Sequence, residues 1–241
     1  QPENLGAQAG PFNLKALTPQ TVELNGLSAN SAYYYTISSG EKLISQGHSF
    51  HTQRPAGESF TFTIDADPHN RDPRFNGELY TLTLGNALSS QPDFHINLGD
   101  TFMTEKAKAT TLQEAQATFA EMRPYFGALQ GNVPLFLVNG NHEGELGWLL
   151  QHGKDSELPI WSTQLRQEYY PNPQPGAFYS GSTTTDPTLN SPRDGYYAFT
   201  WGDALFVTID PYWHTPQAVD NAFGDKAGKT RDPWEATLGE T

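Results

Sequence analysis

Thr61-Phe62-Thr63-Ile64-Asp65-Ala66-Asp67-Pro68-His69 is an apolar, β-prone run that breaks into Asp67-Pro68-His69. Two later stretches have the same form. Pro92-Asp93-Phe94-His95-Ile96-Asn97-Leu98 breaks into Gly99-Asp100, and Val133-Pro134-Leu135-Phe136-Leu137-Val138 breaks into Asn139-Gly140-Asn141-His142-Glu143. Each time a strand-like run ends and oxygen and imidazole ligands follow at once. In a parallel α/β sheet the carboxyl ends of neighbouring strands lie side by side, and ligands bind there. Three such ends would gather Asp67, His69, Asp100, Asn141 and His142. Carboxylates, an amide and imidazoles make a hard, mixed oxygen and nitrogen environment suited to Mn, Fe or Zn.

Taken singly, these residues say little. Asp after a strand commonly caps a helix or forms a turn, and Asn-Gly-Asn is ordinary turn material, which is the reading for Asn139. Only the ordered set, each member behind a strand-like run, points to a site. Asp65 and Asp67 compete for the first acidic position, and Asp67 is preferred because it forms Asp-x-His with His69.

Asp67-x-His69, Gly99-Asp100 and Gly140-Asn141-His142-Glu143 resemble the first three blocks of the calcineurin-like metallophosphoesterase superfamily. The resemblance implies hydrolysis of phosphomonoesters or phosphodiesters by two divalent or trivalent metal ions, Mn, Fe or Zn, set about 3.5–4 Å apart. It implies that Asp67 and His69 bind the first ion, that Asp100 bridges both, and that Asn141 binds the second through its amide oxygen. His142 would face the phosphate as proton donor to, or stabiliser of, the leaving group. Glu143 would orient His142, and Gly99 and Gly140 would permit tight turns near the ions. Arg71 and Arg74 are candidate phosphate contacts. Asp210 and His214, at the end of a later strand, are candidates for the border of the site, whereas His95, inside a strand, reads as packing or as support for a ligand.

The sequence also departs from that pattern. The superfamily continues with a strand-end His and then Gly-His-x-His, but His214 is the last His of this chain and no Gly-His pair follows residue 142. The expectation is therefore the N-terminal two-thirds of such a domain, with the remaining histidines coming from a further segment or a second chain. The purple acid phosphatase branch adds a Tyr ligand just after Gly-Asp; here Thr101 and Phe102 stand there, so tyrosinate colour is not expected.

The rest of the chain fits strands alternating with helices. Helices are expected over 76–90, where Leu79, Leu82 and Leu88 suggest one apolar face, over 110–129, with Pro124 as a kink or early end, and over 161–170. A hairpin is expected over 196–209, and residues 180–193 read as exposed. Upstream, Thr21–Leu24, 32–37 and 48–52 read as strands. Leu27 followed by Tyr33 resembles the tyrosine corner of immunoglobulin-like sandwiches, and the segment is similar to the closing strands of a fibronectin type III-like domain. Such domains often precede phosphoesterases of the purple-acid-phosphatase and PhoD-like kind. The expected architecture is thus an α/β (α+β sandwich type) metallophosphoesterase domain over 58–241, preceded by a partial all-β immunoglobulin-like segment over 1–54.

Composition bounds these readings. Acidic residues number 27 against 14 basic ones, so no nucleic-acid footprint is expected, and a phosphate site needs local positive charge of the kind bound ions provide. The absence of Cys excludes disulfides and thiol chemistry. No apolar run approaches the roughly 18 residues of a membrane span. The resemblance implies an extracellular or periplasmic location. Two other readings stay open: a non-catalytic binding or adhesion module with a degenerate, incomplete metal site, and a mononuclear metallohydrolase acting on another ester.

Overall fold

Three parallel strands end on one line, and this register positions everything near the site. In the computed structural model, which describes residues 9–104, 106–143 and 157–210, β3 (Phe62–Asp65) pairs with β4 (Phe94–Asn97), and β4 pairs with β5 (Leu135–Leu137). Asp65 lies opposite Asn97, and Asn97 opposite Leu137. The loops that leave these three residues therefore start side by side. Crossovers α1 (Gly77–Ser89) and α2 (Leu112–Gln130) make the pairing parallel, as strands linked through helices require.

Alternation along β4 separates two cores. Phe94 and Ile96 face an aromatic cluster with Phe136, Tyr197, Phe199 and Trp201. Most of that cluster comes from a second, antiparallel sheet made of β6 (Ser180–Gly181), β9 (Tyr197–Trp201) and β10 (Ala204–Thr208), in the order β10-β9-β6. Phe136 stacks on Phe199 at 4.2 Å, and Phe94 meets Trp201 at 4.8 Å. On the other side, α1, α2 and α3 (Leu158–Tyr169) close a core of Leu84, Phe119, Met122, Phe126 and Leu165, joined by Leu137 and Phe102. The architecture is mixed α/β with small sheets. Among the described residues, no helix is long and apolar enough to cross a membrane.

Local chemistry explains the helix limits. The Asn76 side chain accepts the Leu79 N–H at 3.0 Å and starts α1. Thr111 and Glu114 form a reciprocal capping box at the start of α2. The helices occur where periodicity places them, with three differences. Tyr80 and Leu84 are the buried residues of α1, whereas Leu79 and Leu82 are each 60% exposed. The winning face carries one aromatic ring that also reaches a buried carboxylate, which counting leucines does not register. Second, α2 continues through Pro124. That residue lies on the exposed side, while Phe119, Met122 and Phe126 are fully buried on either side of it. Their packing offsets the lost backbone hydrogen bond. Third, residues 180–193 are not simply exposed. Asp186 and Leu189 are buried. Asp186 accepts N–H groups from Thr188 and Leu189 and pairs with Arg193, and β7 (Thr185–Asp186) pairs with β8 (Ser191–Pro192).

The N-terminal segment forms one hairpin, β1 (Ala32–Ser39) with β2 (Lys42–His51). Tyr33 Oη accepts the Ser28 N–H at 2.7 Å, a bond of tyrosine-corner form. Thr21–Leu24 is not a strand; Val22 and Leu24 are exposed, and no neighbouring strand pairs with the segment. The hairpin touches the remainder through Ser49 N–H to the Gly131 carbonyl at 3.1 Å. Arg54 also pairs with Asp93 at 2.7 Å. His214 and residues 144–156 after Glu143 lie outside the described residues.

Because Phe94 is completely buried where the two sheets meet, Phe94→Ala should cost about 3–5 kcal/mol of folding stability. Urea denaturation measures this, and a loss below about 1 kcal/mol would contradict the packing described.

Candidate metal centre

The first and second loops run alongside each other. Asp67 N–H donates to the Gly99 carbonyl at 3.0 Å, His69 N–H to that of Asp100 at 3.0 Å, and Asn70 N–H to that of Thr101 at 3.1 Å. Asp67, His69 and Asp100 all adopt left-handed backbone, with φ of 57°, 53° and 53°. Three such non-glycine residues in one place are sparsely populated conformations held by their surroundings, a frequent property of functional sites. Gly99, at φ 92°, has no alternative: a Cβ there would run into the Gly140 nitrogen and the Val138 carbonyl.

The result is a cluster. Asp67, His69 and Asp100 each present a ligand atom, all within 4.8 Å of one another. His69 Nε2 stands 3.4 Å from both Asp67 Oδ1 and Asp100 Oδ2. That nitrogen is buried yet hydrogen-bonds to neither. A buried nitrogen without a bond between two carboxylates is costly unless something else satisfies it. A divalent cation fits: it would take the imidazole nitrogen and both carboxylate oxygens together, and a mixed N/O set of this kind suits Mn, Fe or Zn. Asp65, the rival for the first position, points elsewhere and has both oxygens bonded by Tyr80, His95 and Asn97.

The third loop closes over the second. His142 N–H donates to Asp100 Oδ1 at 2.9 Å, leaving Oδ2 toward His69, and the rings of His69 and His142 lie 5.8 Å apart. Asn141 is half-buried in the same turn. Glu143, expected to orient His142, turns out to hold backbone. Its buried carboxylate accepts N–H groups from Asp100 at 2.8 Å, Thr101 at 2.6 Å and Gly140 at 2.6 Å. Burial pushes the Glu143 carboxyl above the usual range, while those N–H donors oppose the shift.

The expected phosphate contacts are engaged otherwise. Arg71 is paired with Glu121, and Arg74 with Asp72 at 2.9 Å. Asn139, read only as a turn former, donates to Asp210 Oδ2 at 3.0 Å, so the buried Asp210 does border the third loop. Asn97 and Thr101 escaped the sequence reading, because their importance lies in a side-chain bond between them, Thr101 Oγ1 to Asn97 Oδ1 at 2.8 Å.

No family model and no curated protein sequence matches this chain. Among solved structures, one described as the structure of PhoD has a similar fold, with a TM-score of 0.55 and 19% identity, over 83% of this chain. The likeness establishes a PhoD-like fold. The chain spans 40% of that neighbour's length.

Two variants separate support from ligation. Glu143→Gln places an amide N–H against backbone donors and should lower stability by about 1–3 kcal/mol. Asp67→Asn should melt no lower than the parent in metal-free buffer, because it relieves carboxylate repulsion and Asn tolerates left-handed backbone. Added Mn²⁺ should reverse that order, raising the parent's melting temperature above that of the variant. Equal Mn²⁺ shifts in both proteins would contradict the ligand assignment.

Proposed function

We propose that this chain carries the first part of a dinuclear metal-dependent phosphoesterase site, acting on phosphomonoesters or phosphodiesters. The observation that supports it most is the bond-free, buried His69 Nε2 between two carboxylates. The PhoD-like fold adds support, since the three loops lie at the carboxyl ends of parallel strands. In this reading Asp67 and His69 would hold the first ion, and Asp100 would serve both ions. Asn141 binds the second through its amide oxygen. Bound there, the ions supply positive charge for the phosphoryl group and a hydroxide near neutral pH. His142 would face the phosphate as proton donor to, or stabiliser of, the leaving group. Glu143 keeps the Asp100 and Gly140 backbones in register.

The histidines that the superfamily pattern adds beyond residue 142 are not in this sequence. We therefore propose that a further segment or a second chain supplies them, and that this chain alone turns over slowly. The proposal includes residues 1–54 as part of a fibronectin type III-like module, and an extracellular or periplasmic location.

The test is hydrolysis of a chromogenic phosphodiester with and without Mn²⁺ or Zn²⁺, with the bound ion counted. Metal-stimulated turnover should fall about 100-fold or more in Asp100→Asn. Ion uptake without any stimulated hydrolysis would favour a binding module with an incomplete site. A single bound ion with full activity would favour a mononuclear hydrolase.

A further inference from the structure

A buried polar network lies beneath the metal cluster, and nothing in the proposed chemistry uses it. His95 and Asn97 are completely buried, and the Asp65 side chain is 9% exposed. Three donors converge on the Asp65 carboxylate. Tyr80 Oη donates to Oδ2 at 2.9 Å, while His95 Nε2, at 2.9 Å, and Asn97 Nδ2, at 2.8 Å, meet Oδ1. The Thr63 hydroxyl contacts His95 Nδ1 at 2.7 Å. A carboxylate can only accept, so His95 Nε2 is the donor to Asp65, whichever role Nδ1 takes toward the Thr63 hydroxyl.

The orientation of Asn97 follows. Its amide nitrogen is committed to Asp65, so its oxygen must turn the other way. There Asn97 Oδ1 accepts the Gly99 N–H at 3.1 Å and the Thr101 hydroxyl at 2.8 Å. Those residues flank Asp100 on both sides. Asp100 and Gly99 are in left-handed backbone, so this short segment needs something to hold it. One amide side chain thus spans from a buried carboxylate to both neighbours of the central cluster ligand.

From this continuous path we infer that Asp65 and Asn97, anchored by Tyr80 on α1, act as positioning residues that set the Asp100 carboxylate for the metal ion. The inference rests on the metal reading above. Its physical basis is that outer groups which orient ligands change metal affinity without touching the ion. Tyr80 is the informative end of the path. It sits in a helix, packs against Phe75, Tyr125 and Phe126, and its hydrogen-bonded route to the cluster runs through Asp65 and Asn97.

The experiment is a double-mutant cycle on the full chain, with Mn²⁺ affinity measured by calorimetry below the melting transition. The four proteins are the parent, Tyr80→Phe, Asn97→Ala and the double variant. Asn97→Ala should weaken Mn²⁺ binding by about 10–100-fold. Tyr80→Phe, which keeps the ring and its packing, should weaken it by a smaller but measurable factor. The double variant should bind more tightly than the product of the two losses predicts, because both act through one path. A folded Asn97→Ala with unchanged Mn²⁺ affinity overturns the inference. Should Asn97→Ala fail to fold, Tyr80→Phe decides: an affinity equal to the parent's overturns it. A parent that binds no Mn²⁺ fells the metal reading itself, and the inference with it. A parent that binds Mn²⁺ beside variants that bind equally well fells the inference alone.

Discussion

One buried carboxylate joins the loops that carry the candidate ligands. Glu143 reaches from the third loop into the second and accepts backbone N–H groups from Asp100 and Thr101, while also bonding Gly140 in its own loop. Without an acceptor there, several buried donors would lose their partners at once, and such losses cost far more than the net value of a formed bond. The second loop then holds the first through three backbone bonds that start at Asp67, His69 and Asn70. Cluster geometry therefore passes from Glu143 to Asp100 and on to His69. The parallel register of β3, β4 and β5 brings the loops near; the carboxylate fixes their spacing.

Asp65 works from the opposite side with the same chemistry. Each acid has little exposed side chain and accepts several donors; Glu143 bonds the Asp100 and Thr101 backbone directly, whereas Asp65 reaches Gly99 and Thr101 through Asn97. Burying a charge is expensive unless hydrogen bonds replace its water, and both carboxylates are so supplied. Their partners differ in kind. Glu143 takes backbone donors, which are fixed by the loop path itself. Asp65 takes side chains from α1 and β4, so it couples the cluster to the helical core through Tyr80. Burial first, and then the nearby Asp65 carboxylate, raises the Tyr80 hydroxyl pKa, which keeps that group protonated and donating.

The sequence exposes the cluster more fully than it exposes its support, for a physical reason. Ligand residues must be of particular types directly after a strand, so Asp67, His69 and Asp100 can be read from order and spacing. Asp-x-His spacing prefers Asp67 to Asp65, and in the structure Asp67 lies beside His69 and Asp100 whereas Asp65 bonds Tyr80, His95 and Asn97. Supporting roles depend on which atom faces which. Asn97 looks like an ordinary strand residue, and its two-way bonding exists only once β3 and β4 are paired. The helices are legible because caps and periodicity are local. The buried face of α1 is not, because Tyr80 gains a carboxylate partner that lies outside the helix, and Thr21–Leu24 has strand-like residues but no neighbouring strand. Arg71 and Arg74 show the same limit: proximity in sequence to His69 does not reveal that Glu121 and Asp72 hold them.

Charge gives the strongest constraint on what the cluster can do. The chain carries a net charge of −13, and the two arginines that follow His69 in sequence, Arg71 and Arg74, are already paired with acids. A phosphate ester approaching Asp67 and Asp100 would meet two carboxylates and a repelling body. With the cluster's own carboxylates uncompensated, the site would repel any anionic ligand. A bound cation reverses that sign locally and also satisfies His69 Nε2. The exposures suit this order of events: Asp100 is 13% exposed at the base, whereas Asp67 is 65% exposed at the rim. An ion can be held from below by the fixed carboxylate while the outer one closes on it from solvent. Under the proposed function, metal occupancy would have to precede phosphate binding, because only an ion offsets the acidity of the cluster.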